Sequence, residues 1–156
     1  MVAKSNLANN KFDTVSCSVG NWRYRETLPD KSFDIVVCLG NSLAHLSSRE
    51  DLVNSLHSFY DILEDEGTLI TDQRNYDGIM SGDVDGSTRN YCCTGLNTSC
   101  DLKVLSTSTV EIVYTTSGYG SESIMTHAWH VKEIHSALEE AGFVVKNIYG
   151  ENGTPY

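Results

Sequence analysis

Three short polar clusters stand where chemistry could occur: Gly20-Asn21-Trp22, Leu39-Gly40-Asn41-Ser42 and Asp72-Gln73-Arg74-Asn75-Tyr76-Asp77. Each follows a run of apolar or alternating residues that reads as a β-strand. In an open parallel sheet, ligands bind beyond the carboxyl ends of the strands. Asn and Gly after a strand also make plain turns, but three such clusters on neighbouring strands favour a binding site. Gly40 has no Cβ, so a ligand can come close to its backbone. Asn21 offers both a donor and an acceptor to a heteroaromatic edge, and Trp22 offers a flat apolar wall. The fork of Arg74 suits a bidentate grip on a carboxylate. The competing reading of Arg74 is a structural ion pair with Asp72 or Asp77.

These clusters need elements to hold them. Val15, Cys17 and Val19 alternate with small polar residues, the pattern of a half-buried strand over 14–19. Phe33 to Gly40 is nearly continuous apolar sequence, the pattern of a parallel strand covered on both faces. Ser47 with Glu50 forms a capping box ahead of a helix whose apolar face is Leu52, Val53, Leu56, Phe59, Tyr60 and Leu63. Glu64 to Gly67 closes that helix, with Gly67 in the turn, and Thr68 to Asp72 is the next strand. The unit is a parallel strand-helix-strand crossover. Around Ser81 the texture changes to a Gly/Asp/Ser loop, and from Arg89 to Trp129 period-two signals predict antiparallel strands. Val131, Ile134, Leu138 and Ala141 form a second helical face stopped by Gly142, and Phe143 to Tyr149 reads as a strand. The expected class is α/β, with a parallel core over 1–80 and 130–156 and an antiparallel insert over 81–129.

Composition narrows the function classes. With 156 residues, 11 basic and 21 acidic, the formal charge is −10. Phosphate backbones and anionic lipids repel such a surface, so neither nucleic acid nor a membrane is an expected partner. No apolar run reaches the length of a bilayer span, and Met1 to Asn6 lacks the apolar core of a signal peptide. The five scattered cysteines then fit a reducing, cytoplasmic setting. His127, His130 and His135 with Cys92, Cys93 and Cys100 invite a zinc reading, but adjacent cysteines lack the spacing of zinc ligands, and no metal is expected. A Cys38–His45 nucleophile is disfavoured because Cys38 lies in the buried run. Glu64, Asp65 and Glu66 read as a solvated helix end rather than paired catalytic acids.

Phe33-Asp34-Ile35-Val36-Val37-Cys38-Leu39-Gly40-Asn41-Ser42-Leu43-Ala44-His45-Leu46 resembles the fourth-strand motif of the glycine and glycine/sarcosine N-methyltransferases. Asp72-Gln73-Arg74-Asn75-Tyr76-Asp77 resembles the motif that ends their fifth strand. The resemblance runs from about Lys11 to Tyr156 and is strongest between Asn21 and Asp77. It implies a Rossmann-like class I methyltransferase sheet and S-adenosyl-L-methionine as cofactor. The implied reaction is methyl transfer to the amine of glycine or sarcosine. Carried over residue by residue, it sets Asn21 and Trp22 beside the adenine and Leu39, Gly40, Asn41 and Ser42 under the cofactor. Asn41 also faces the amino acid, and Arg74 holds its carboxylate. His45 and Tyr91 match cofactor-side positions, and Tyr156 a substrate-side one. No residue is assigned as general acid or base, because the amine can lose its proton to water before attack.

The family's glycine-rich loop and its ribose-binding acidic residue would lie upstream of Met1, and its last strand would lie beyond Tyr156. The chain therefore reads as a partial domain, truncated at both ends, that binds cofactor poorly by itself. The rival readings are an inactive remnant and a methyltransferase for another small amine. The full-length protein is compatible with a homo-oligomer.

Overall fold

The computed structural model describes residues 14–30, 33–84, 97–150 and 154–156. Strand β1 (Phe33–Cys38) leads through a short 3-10 turn (Ser42–His45) into helix α1 (Arg49–Tyr60) and strand β2 (Leu63–Thr71). Helix α2 (Tyr76–Ser81) follows, then strands β3 (Thr98–Val104), β4 (Thr109–Thr116) and β5 (Gly120–His127), and helix α3 (Val131–Glu140). β1 and β2 pair in parallel; β3, β4 and β5 form a separate antiparallel meander with β4 in the centre.

The parallel pair is set by its apolar rows. Ile35, Val36, Val37 and Cys38 lie opposite Thr68, Leu69, Ile70 and Thr71. Val36 and Leu69 pack toward the helices, against the cluster that contains Leu52, Leu56 and Phe59 of α1 and Ala137 of α3. Alternation sends Ile35, Val37 and Ile70 to the other face, where each is about half exposed. The expected cover on both faces of β1 is therefore corrected: among the described residues, helices pack on one face only.

β2 begins earlier than its sequence pattern indicates. Leu63, expected on the helix, already faces Phe33, and the partner of Ile35 is Thr68. β2 thus carries three more residues than β1 over that interval, and they form a bulge. Glu66 takes a left-handed φ of 64° there. A Cβ on Gly67 would meet the Glu64 carbonyl oxygen at 2.8 Å and Leu63 Cδ2 at 2.9 Å. Gly67 is needed for that close approach, inside the strand rather than in the turn after a helix.

Ser48, not Ser47, caps α1: its hydroxyl accepts from the Asp51 N–H, and no capping box forms with Glu50. The face the periodicity assigns is buried, with Leu52 and Leu56 fully so. Burial of each such leucine contributes about 1.5–3 kcal/mol. α3 packs on the same cluster through Ile134, Ala137, Leu138 and Ala141, and Arg49 ties the two helices to Glu140 at 2.6 Å. Trp129, just ahead of α3, is buried, and its Nε1–H points at the carbonyls of Leu43 (3.2 Å) and Leu46 (3.0 Å).

The meander folds on a second cluster of Ala44, Tyr76, Ile79, Cys100, Val110, Ile112 and Ala128. Val110 and Ile112 are the inward residues of β4, as their spacing predicts. Two expected strands are corrected. Residues 14–19 form none, leaving Val15 and Val19 exposed, and 143–149 contribute a single bridge, Tyr149 to Pro155. A strand is defined by a run of hydrogen bonds to a neighbour. Among the described residues 14–19 pairs with none, and 143–149 has only that bridge and the bond from the Tyr156 N–H to the Ile148 carbonyl (3.1 Å). Phe143 instead packs edge-on against Tyr60, with centroids 5.2 Å apart.

Candidate functional site

A cavity of about 230 Å³ opens at the carboxyl ends of β1 and β2, lined by Gly40, Asn41, His45, Asp72, Gln73, Arg74, Tyr114 and Ile124. The first six come from the loops after the two parallel strands, and the last two from β4 and β5. The cavity therefore lies between the parallel layer and the meander.

Asn41 ties the two strand-end loops together. It adopts a left-handed conformation, φ 63°, which asparagine tolerates better than most residues. Its backbone N–H donates to Asp72 Oδ1 (3.0 Å), and its side-chain Oδ1 accepts from the Arg74 backbone N–H (3.1 Å). Its Nδ2 donates to the Tyr76 hydroxyl (2.8 Å). Gly40, next to it, has φ 79°, and nothing lies within 4 Å of where a Cβ would stand. Gln73 Nε2 donates to the Trp129 carbonyl (2.9 Å), while its buried Oε1 has no hydrogen-bond partner among the described residues.

Arg74 reaches across to the meander, where Nη2 donates to Cys100 Sγ at 3.2 Å. Burial pushes the Cys100 thiol up, and the Arg74 charge opposes that rise. Both carboxylates weighed as ion-pair partners for Arg74 have contacts of their own. Asp72 accepts from Asn41, and Asp77 accepts from the Val131 N–H (2.9 Å) and meets His130 Nδ1 (2.8 Å). Burial raises the Asp77 carboxyl, but the Val131 N–H, the His130 ring and the Tyr156 hydroxyl outweigh it. Its pKa lies below the usual carboxylate value. Burial pushes Cys38 up to about 11, which leaves it a thiol.

The other residues singled out from sequence lie around this cavity or away from it. Gly40, Asn41, His45 and Arg74 line it. Leu39 is half exposed beside it, its carbonyl accepting from the Ser42 hydroxyl (2.7 Å). Asn21 is engaged in its own turn, its Oδ1 accepting from the backbone N–H and Nε of Arg23. Trp22 packs edge-on against Phe59 at 5.6 Å, on the helical core. Tyr156 donates to Asn75 Oδ1 (3.1 Å), outside the cavity lining. Tyr91, Cys92 and Cys93 lie outside the described residues.

Tyr114 and Ile124 carry no role in the sequence reading. The signal for Tyr114 was present, since it continues the Val110-Ile112 row. Ile124 faces Ile112 across the meander, a pairing that only the register reveals.

No protein-family profile matches the chain. It is 42% identical to the glycine/sarcosine N-methyltransferase of Halorhodospira halochloris over 73 residues, 47% of this chain and 27% of that protein. It is 28% identical to the glycine/sarcosine/dimethylglycine N-methyltransferase of Actinopolyspora halophila over 131 residues, 84% of this chain and 23% of that protein. The chain thus spans about a quarter of the length of these curated relatives. Among solved structures, it superposes with TM-score 0.69 on an S-adenosylmethionine-dependent methyltransferase of Clostridium acetobutylicum. That pair is 15% identical and covers 96% of this chain and 64% of the other. The amino pentose methyltransferase CalS10 of Micromonospora echinaspora, solved with SAM bound, also gives 0.69 at 15% identity, covering 99% and 68%. With the parallel crossover unit, the antiparallel meander and the cavity between them, these matches show a chain similar in sequence to the glycine/sarcosine N-methyltransferases over part of their length, on the fold of the S-adenosylmethionine-dependent methyltransferases.

Proposed function

We propose that the chain carries the acceptor side of an S-adenosylmethionine-dependent N-methyltransferase whose substrate is glycine or sarcosine. The observation that carries this reading is the position of Arg74, a cation lining a cavity of about 230 Å³ beyond the carboxyl ends of two parallel strands. That volume is below the usual range for drug-sized ligands, about 300–1,000 Å³, and suits a small amino acid. Two features fit a cofactor brought against the strand ends: the open space over Gly40 and the orphaned acceptor Gln73 Oε1. When bound, S-adenosylmethionine supplies a methyl group made electrophilic by its sulfonium.

The chain's own residues do the positioning. The Arg74 guanidinium grips the acceptor's carboxylate and so fixes where the amine lies, which is how alignment accelerates a two-reactant step. Asn41 holds the β1 loop against the Arg74 backbone, keeping the grip and the cofactor side in one frame. Tyr114 and Ile124 close the cavity from the meander, consistent with residues 81–129 acting as a cap on a core formed by 1–80 and 130–156. His45 lines the cavity and Leu39 and Ser42 flank it. The resemblance adds Asn21, Trp22, Tyr91 and Tyr156 to the same reading, along with a cytoplasmic setting and a homo-oligomeric full-length protein.

Kinetics of the Arg74→Ala protein test the reading. The KM for glycine should rise by about tenfold or more, with the cofactor KM changing little. Equal rises in both would make Arg74 structural and remove the basis for a carboxylate-bearing acceptor.

A further inference from the structure

We infer that Tyr76 and Thr126 are positioning residues that fix which way the side-chain amide of Asn41 points. Asn41 and Arg74 lie on the parallel layer, yet a buried chain of hydrogen bonds runs from Asn41 into the meander. Asn41 Nδ2 donates to the Tyr76 hydroxyl at 2.8 Å, Tyr76 to Thr126 Oγ1 at 3.2 Å, and Thr126 to the Val110 carbonyl at 3.0 Å. Tyr76 is fully buried and Thr126 nearly so, and water cannot replace a partner there.

The direction of the chain is forced from its far end. The Val110 carbonyl can only accept, so the Thr126 hydroxyl spends its one proton there and must accept from Tyr76. Tyr76 spends its own proton on Thr126 and must accept from Asn41. The group of Asn41 that faces Tyr76 is therefore the NH2, and its oxygen faces the Arg74 N–H at 3.1 Å. A flip of the amide would put two donors against each other at Arg74. The Arg74 N–H, which can only donate, demands the same orientation, so the meander and the Arg74 backbone together lock the polarity of a group that lines the cavity. The functional consequence rests on the acceptor reading above, whereas the direction of the amide does not.

The test uses the full chain, ¹⁵N-labelled, with the near-isosteric Thr126→Val variant, the Thr126→Ser variant that keeps the hydroxyl, and Tyr76→Phe. Without the Thr126 hydroxyl, the Tyr76 hydroxyl is no longer held as an acceptor for Asn41 Nδ2, and in Tyr76→Phe that acceptor is gone. The amide is then held from the Arg74 side alone, and its bond to the Arg74 N–H opens more often. Hydrogen exchange of the Arg74 backbone amide should accelerate about tenfold or more in Thr126→Val and Tyr76→Phe, relative to neighbouring core amides, and return toward wild type in Thr126→Ser. A uniform acceleration across the second core cluster, or unchanged Arg74 exchange in Thr126→Val, would overturn the inference.

Titration with glycine and with S-adenosylhomocysteine gives the second readout. Thr126→Val should weaken glycine about tenfold and S-adenosylhomocysteine less than twofold, and Thr126→Ser should restore glycine affinity. Equal weakening of both probes would contradict a positioning role. If wild-type chain does not take up glycine, the acceptor reading fails, and the exchange comparison still decides the direction of the amide.

Discussion

The two sheets bury their strands in opposite ways. The meander is self-contained: β4 is paired along its length on both sides, and its inward residues Val110 and Ile112 are buried with Cys100 against α2. Its other face meets solvent, as antiparallel sheets commonly allow. Among the described residues β1 and β2 pair only with each other, and the face bearing Ile35, Val37 and Ile70 is about half exposed. Parallel strands are normally covered on both faces. The apolar sequence of β1 therefore matches a more enclosed setting than the described residues provide. The difference shows that stability and chemistry have separate sources here: helices α1 and α3 hold the parallel layer, while the cavity forms only where that layer meets the meander.

Substitutions can break or sharpen this contrast. The largest effect is expected in the helix-covered half. Leu56→Ala, at a fully buried position of α1, should cost about 2–5 kcal/mol, read as a lower midpoint in urea unfolding. A cost near zero would mean that the helices do not carry the parallel layer.

The link between the halves should respond to acid. Asp77, on α2, holds His130 and the first N–H of α3, and its folded pKa lies below the ordinary carboxylate value. A carboxylate depressed on folding contributes stability that is present above its unfolded pKa and is lost as pH falls through the folded pKa. Stability should therefore decline below about pH 4, and Asp77→Asn should flatten that acid limb. Partial solvent exposure keeps the effect modest. An unchanged acid limb in Asp77→Asn would remove Asp77 as the acid-sensitive link.

The smallest effect is expected on the open face. Ile70→Thr keeps β-branching at a position 47% exposed. It should change stability by less than about 0.5 kcal/mol, the range of ordinary surface substitutions. A cost of about 2 kcal/mol would show that this face is covered in solution.

How much of this was legible in the sequence differs by element for physical reasons. α1, α3 and the three meander strands follow from period and local pairing, since a helix satisfies its backbone internally and a hairpin finds its partner next in the chain. The segments 14–19 and 143–149 alternate equally well, but their pairing depends on a distant neighbour that periodicity does not specify. The short α2 was missed because its six residues begin inside a polar cluster read as a loop; its cap, Asn75 accepting from the Gly78 N–H, is the signal that could have found it. In the site, Gly40, Asn41 and Arg74 could be listed together because strand ends converge, whereas His45 joins them only through the family motif. Tyr114, Ile124 and Cys100 approach them from the meander, and that approach requires the three-dimensional packing of two sheets. Trp22 illustrates the converse: an aromatic residue after an expected strand end proves to pack on Phe59.

The placement of the tryptophans has a spectroscopic consequence. The sequence contains two, Trp22 and Trp129, and both pack on the cluster that α1 and α3 cover. Neither lines the cavity, and the meander strands contain none. Emission excited at the red edge of protein absorbance thus follows the helix-covered layer through Trp22. Trp129, whose ring centroid lies 3.9 Å from that of His127 at the end of β5, also registers the meander drawing away from that layer.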